Sequence, residues 1–270
     1  MNPTAQDERR SVGTVEPGFE PIRDAFDALL LADAGYSAQI AAVWHGRTVA
    51  DLAGGPGLGV DAITGVFSVS KGVAAIVIGL LLDRGALALD APVASYWPEF
   101  AAAGKADITV RTVLSHRAGI LGPPEGFTPD ELADSSLAAA RLAADPPLWN
   151  PGALHGYHAL SIGIVMEELV RRVTGSTLQA LYESEVRAPR GVDFHLGLPE
   201  SEEHRFRAVV PMSPTPAQLT EMSMEPGRAD SLQALAFNAL ESAFPPAGGA
   251  FGPNSREMRA AGWSTTDQLR

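Results

Sequence analysis

Residues 66–82 read Val66-Phe67-Ser68-Val69-Ser70-Lys71-Gly72-Val73-Ala74-Ala75-Ile76-Val77-Ile78-Gly79-Leu80-Leu81-Leu82. From Val73 onward the run is apolar at nearly every position. That pattern predicts a helix buried on all sides, not an amphipathic one. Ser68 and Lys71 stand at its mouth. They are three residues apart, so a helix opening near Ser68 puts both on one face. Only Lys71 and Lys105 are lysines among the 20 basic residues; Arg fills every other basic position. A Lys can lose its proton and act as a base, which Arg cannot. A hydroxyl beside such an amine suits nucleophilic catalysis by an activated serine. The helix N-terminus would favour negative charge on Ser68 Oγ or on a bound oxyanion. The pair also fits a plain helix start, with Ser68 or Ser70 as N-cap and Lys71 snorkelling to water. Capping does not exclude catalysis.

Working outward, the 270 residues can hold one large domain or two small ones. A hydrophobic content of 46% with 19% charged residues describes a globular chain. The net charge of −12 argues against nucleic acid or an anionic membrane as partner. There is no Cys, which excludes disulfides, thiolate chemistry and Cys-based metal sites. The first ten residues have no apolar core and do not read as a secretory signal. The apolar run from Gly72 to Leu82 is too short to span a bilayer. A cytoplasmic location is therefore expected.

The expected organisation is a loose arm over 1–17 and one domain over 18–270. Within the domain, 18–75 is an α/β part, 76–200 is mostly helical and 201–270 is an irregular tail. Phe19, Ile22, Phe26 and Leu29 or Leu30 have helical spacing, so 19–32 is an amphipathic helix. Ala38 to Trp44 and Thr48 to Leu52 are strands joined by a His45-Gly46-Arg47 loop. Ile63 to Phe67 is strand-like and leads into the helix from Ser68 to Gly85. Thr128-Pro129-Asp130-Glu131 is a capping box opening one helix toward Ala143 or Ala144. Ile162, Val165, Met166, Leu169 and Val173 share a helix face, with Glu167–Arg171 and Glu168–Arg172 as pairs on the wet side. Ser176 to Gln179 is a second capping box, and Phe194 to Leu198 a short strand. Residues 211–230 have no clear period, and 245–254 is a Pro/Gly loop.

Ser68-Val69-Ser70-Lys71 resembles the Ser-x-x-Lys motif of serine β-lactamases and penicillin-binding proteins. The surrounding text is most similar to the class C β-lactamase-related hydrolases, which include the family VIII carboxylesterases. The run Leu82-Asp83-Arg84-Gly85-Ala86-Leu87-Ala88-Leu89-Asp90-Ala91-Pro92-Val93 resembles one of that group's stretches. Tyr96 to Phe100 and Ile108 to Ile120 resemble two more. Pro151-Gly152, followed by Gly156-Tyr157, is similar to the approach to its catalytic Tyr. The resemblance runs from about Ala38 to Leu198. It implies an α/β (α+β) architecture of the β-lactamase/penicillin-binding-protein-like kind, an antiparallel sheet with flanking helices plus an all-α region. Ser68 would be the nucleophile at the junction of the two parts. Lys71 would be the base or proton relay, and Tyr157 would carry the serine proton to the leaving group. The Ser68 N–H would supply half of an oxyanion hole. Trp149, His155 and His158 would line the substrate space. No cofactor and no metal is implied; the partner is a small-molecule ester substrate.

Two departures from the family pattern bear on substrate and completeness. Where the β-lactamase motif reads Tyr-x-Asn, this chain has Tyr157-His158-Ala159. Ala159 offers no hydrogen bond to an amide side chain, which favours an esterase. The third motif, Lys-Thr-Gly or a Gly-rich variant, has no convincing copy, and Ala247-Gly248-Gly249 reads as a loop. The sheet is therefore expected to be incomplete at its C-terminal side, the chain to be a shortened form, and an exposed edge to promote self-association. A β-lactamase or D-amino-acid peptidase of the same fold stays open as an alternative. So does a non-catalytic truncated relative that only binds ligand or partner. Other candidates are weaker. The spacing of His155 and His158 resembles a metal pair only superficially. Ser115-His116 is no triad and reads as a helix–loop junction. Trp44, Trp97 and Trp149 are too far apart to form a binding stripe and fit core or cleft packing.

Overall fold

A computed structural model describes residues 10–123, 125–210, 216, 219 and 220. The described chain divides into two units, 10–64 with 202–209, and 65–201 with 210, 216, 219 and 220.

The first unit contains β1 (Val12–Val15), α1 (Glu20–Ala32), β2 (Ala38–Trp44) and β3 (Arg47–Gly54). The strands form an antiparallel sheet in the order β1-β3-β2. Trp44 pairs with Arg47, so the hairpin turn is His45-Gly46 alone, one residue shorter than expected. Both turn residues have positive φ, 49° and 76°. That is the turn whose twist matches right-twisted strands. α1 packs Phe26 and Leu30 on Leu52, with Ile22, Val15 and Ala38 around them.

Within the segment 1–17, expected to be a loose arm, residues 12–15 form β1; residues 1–9 lie outside the described residues. Val12 to Val15 pair with Ala53 to Ala50, so this segment is the far edge of the sheet. Arg23 from α1 donates to the carbonyls of Ser11 and Gly13, which ties the strand down. Gly13 has φ 109°, and a Cβ there would lie 2.1 Å from the Asp51 carbonyl oxygen. Only Gly permits that approach. A four-residue strand with a central Gly is too short to show alternation. The strand-like reading of Ile63 to Phe67 reduces to one parallel bridge, Ile63 with Phe206.

The second unit contains α2 (Val69–Asp83), α3 (Val110–Leu114), α4 (Pro129–Ala133), α5 (Ser135–Ala144), α6 (Ser161–Thr174) and α7 (Leu178–Tyr182). Its core joins Ala74, Val77, Ile78 and Leu81 of α2 to Val165, Met166 and Leu169 of α6, with Trp97 and Phe100. α2 is not buried all round: Val69 is 60% and Ile76 50% exposed. Its packing contacts fall on the side facing α6 and α7.

The Thr128 capping box forms as read, but it opens a short helix. At Asp134 the backbone turns extended, and the Asp134 side chain caps a second helix through Ser136 N–H. The α6 carboxylates also differ from expectation. Glu167 and Glu168 are buried, not on the wet side. Glu168 binds both Arg171 and Arg172. The Glu167 carboxylate accepts the Leu178 N–H at 2.9 Å and so caps α7. The α7 N-cap is Thr177, one residue beyond the expected Ser176. Phe194 to Leu198 form no strand; the Phe194 carbonyl accepts the Tyr182 hydroxyl.

The expectations for 211–270, including the absent third motif and the incomplete sheet, fall outside the described residues except 216, 219 and 220. Among the described residues no helix is long and apolar enough to cross a membrane.

Candidate active site

Ser68 is the N-cap of α2. The residue before it, Phe67, has φ 46°. A bulky side chain in the left-handed region is strained by about 1–3 kcal/mol and persists only where its surroundings enforce it. Here the turn is closed by Val69 N–H to the Val66 carbonyl and Ser70 N–H to the Phe67 carbonyl, at 3.2 and 3.0 Å. The kink leaves the Ser68 side chain exposed on the first turn of the helix. Among the described residues none accepts the Ser68 N–H. That donor is available to a ligand oxygen.

Two groups converge on Ser68 Oγ. Lys71 Nζ donates to it at 3.1 Å. The Tyr157 hydroxyl donates to it at 2.7 Å. Lys71 Nζ also lies 5.2 Å from the centre of the Tyr157 ring. The first contact is local, set by the i,i+3 geometry of a helix. The second depends on how the 148–158 segment is held.

That segment is laced to residues 116–120. Leu148 N–H donates to the Gly119 carbonyl, and Gly152 N–H to that of Arg117. The Trp149 indole N–H also donates to the Arg117 carbonyl, at 3.2 Å. Gly156 N–H donates to the His116 carbonyl at 3.0 Å. His158 N–H donates to His116 Nδ1 at 3.0 Å. His158 Nε2 in turn accepts the Ile120 N–H at 3.3 Å, so its Nδ1–H is left to donate to the Gly156 carbonyl at 2.6 Å. Gly156 itself sits against Trp149; a Cβ there would be 2.5 Å from the indole Cη2.

The three side chains expected to line the substrate space fare differently. His155 is exposed, with its ring 5.9 Å from that of His116. His158 has no exposed surface and is a structural residue, because both ring nitrogens are committed to backbone groups. Trp149 is 9% exposed and serves as a wall behind Gly156. The sequence reading missed His116. Its ring is 5.1 Å from the Tyr157 ring, and it contacts residues some forty positions away, which no local spacing reveals.

Burial makes His158 and His116 harder to protonate. It pushes His158 down to about 4, against the opposing hydrogen bond to the Gly156 carbonyl; His116 and His155 lower it further. His116 is lowered by burial first, then by His155 and Lys71. Among the described residues no three His, Cys, Asp or Glu side chains are grouped to hold a metal ion.

Residues 22–268 match the family model described as Beta-lactamase. The chain is 38% identical over 205 residues to the esterase/beta-lactamase LipL of Mycobacterium tuberculosis, covering 72% of this chain and 47% of LipL. It is similar to the structure of EstA from Arthrobacter nitroguajacolicus Rue61a, with a TM-score of 0.78 and 49% identity, covering 93% of this chain and 64% of that one. It is also similar to a family VIII carboxylesterase structure, with a TM-score of 0.77 and 34% identity, covering 95% and 67%. The chain spans about half the length of the curated relatives it matches, 47% and 56%.

Proposed function

The chain belongs to the Beta-lactamase family and shares its fold, and from that premise we propose that it is a serine hydrolase cleaving small carboxylic esters through an acyl-Ser68 intermediate. One observation carries the reading. A serine hydroxyl at a helix N-terminus lies within hydrogen-bond distance of both a lysine amine and a tyrosine hydroxyl.

In this reading Ser68 Oγ attacks the ester carbonyl carbon. Its proton passes to the Lys71–Tyr157 pair, which has first lost one proton to solvent. The carbonyl oxygen becomes an oxyanion, which the Ser68 N–H stabilises. The tetrahedral intermediate collapses, the C–O bond to the alcohol breaks, and Tyr157 gives the alcohol its proton. Water then attacks the acyl-Ser68 ester, the same pair takes the water's proton, and the Ser68 oxygen leaves and is reprotonated. Acid and base roles alternate within one pair, so no further titratable group is required.

Esterase chemistry is favoured over β-lactam hydrolysis by Ala159, which is buried and carries no polar side-chain atom. The relative named esterase/beta-lactamase supports β-lactam hydrolysis as the second reading. The deciding experiment gives the purified protein short p-nitrophenyl esters and a chromogenic cephalosporin, and follows acylation by intact mass. Ester turnover with an acyl adduct on Ser68 is the expected result. Absence of both turnover and adduct would reject the hydrolase reading in favour of a ligand-binding relative.

A further inference from the structure

We propose that His116 is a positioning residue for Tyr157, gripping the amides on both sides of it as the neutral Nε2–H tautomer. The inference rests on the Ser68 hydrolase reading for its consequence in rate, but its geometry stands independently. Gly156 N–H, just before Tyr157, donates to the His116 carbonyl at 3.0 Å. His158 N–H, just after it, donates to His116 Nδ1 at 3.0 Å. One residue thus holds the N–H groups of the residues before and after the tyrosine, and its ring lies 5.1 Å from the phenol ring, tilted 39°.

Two further features fit this role. The backbone of His116 has φ 60°. Among residues with a Cβ, Asn, Asp and His visit that region most readily. The left-handed turn lets the carbonyl and the side chain of a single residue meet two amides separated by one residue. The acceptor also requires a bare Nδ1, because a protonated Nδ1 would face the His158 N–H donor to donor. Two groups facing His116 oppose its protonation, His155 on the 148–158 segment and Lys71 on α2; the His158 and Tyr157 rings of that segment also lie against it. Burial acts in the same direction. The precision matters because Tyr157 must hold 2.7 Å to Ser68 Oγ. A misplacement near 1 Å in a reacting group typically costs about 10²-fold in rate.

The test uses the whole chain with His116→Ala and His116→Asn. Asn tolerates the left-handed backbone, and its Oδ1 stands where Nδ1 stands, but it does not titrate. His116→Ala is expected to lower kcat for a short ester, and the rate of fluorophosphonate labelling of Ser68, by about 10-fold to 100-fold with KM little changed. His116→Asn is expected to recover most of that loss, and to lack the acid-side fall in kcat that His116 protonation gives the wild type. A His116→Asn protein as slow as His116→Ala would overturn the proposal, as would wild-type labelling by His116→Ala. 15N NMR of histidine-labelled wild type at neutral pH supplies a readout free of activity and of variant folding. A proton on Nε2 and none on Nδ1 of His116 is expected; a protonated Nδ1 would refute the grip. Should the wild type neither turn over esters nor label, the hydrolase reading fails. The tautomer, with the Tyr157 ring shifts in His116→Asn against His116→Ala, then decides the positioning role alone.

Discussion

The Tyr157 hydroxyl donates to Ser68 Oγ at 2.7 Å across 89 positions of sequence. Lys71 donates to the same oxygen from one helical turn away. In the proposed mechanism, an oxygen that accepts two such bonds is a resting nucleophile. It becomes reactive when one of the two donors has lost a proton and can accept the serine's own. In that mechanism the serine proton has a destination before any substrate arrives.

Ser68 is exposed, and Ser70, two residues on, is buried at 7%. A fluorophosphonate probe should add one label that maps to Ser68. Ser68→Ala should abolish it, and Ser70→Ala should leave most of it. Labelling that survives Ser68→Ala would remove Ser68 as nucleophile.

Lys71→Arg keeps the positive charge but withdraws a deprotonatable amine. Tyr157→Phe keeps the ring and withdraws the hydroxyl. Each is expected to reduce ester turnover by about 10²-fold or more, the usual range for a lost proton carrier. Because Tyr157 is half-buried, Tyr157→Phe should leave the thermal melt close to wild type. Near-normal rates in Lys71→Arg would mean that Lys71 contributes charge alone.

What was legible in the sequence was local. The apolar run from Val73 to Leu82 and the three-residue step from Ser68 to Lys71 lie within one helix, so period and spacing suffice. Only family resemblance points to Tyr157, because its partner is 89 positions away. Phe67 carries the strained turn before Ser68, yet a Phe gives no turn signal. His116 reads in sequence only as a junction residue, because its partners are backbone amides, which have no sequence signature. The charges of Glu167 and Glu168 predict solvent-facing side chains, yet both are buried. Glu168 is buried with Arg171 and Arg172 at the i+3 and i+4 positions, whereas Glu167 is buried because it caps α7, a contact that helical period does not encode.

His158 ties stability to pH. Its folded value is pushed from 6.5 to about 4, mainly by burial. Above 6.5 the ring is neutral in both states and its contribution is complete. Between 6.5 and 4 the unfolded chain takes up a proton that the folded chain refuses, so stability falls as pH falls. The full loss from this residue is on the order of 3 kcal/mol. In His158→Gln, Oε1 can still accept the Ile120 N–H, and nothing titrates there. Denaturant unfolding at several pH values should show the wild-type advantage over this variant shrinking from pH 7 to pH 4. A constant difference would mean that His158 titrates alike in both states.

In the proposed esterase reading, substrate preference turns on Ala159. It follows Tyr157 by two residues, is 3% exposed and presents only a methyl group. A β-lactam brings an amide side chain that needs a polar partner once water is displaced. Leaving such a group unpaired costs about 1–3 kcal/mol, roughly tenfold to a hundredfold in rate. A short ester carries no such group and loses nothing. Short p-nitrophenyl esters should therefore be turned over with higher kcat/KM than a chromogenic cephalosporin. Ala159→Asn should narrow the gap from the cephalosporin side if the buried position admits the larger side chain, which a thermal melt of the variant would establish. Efficient cephalosporin hydrolysis by the wild type with negligible esterase activity would reverse the assignment, and another group would then have to hold the lactam's amide.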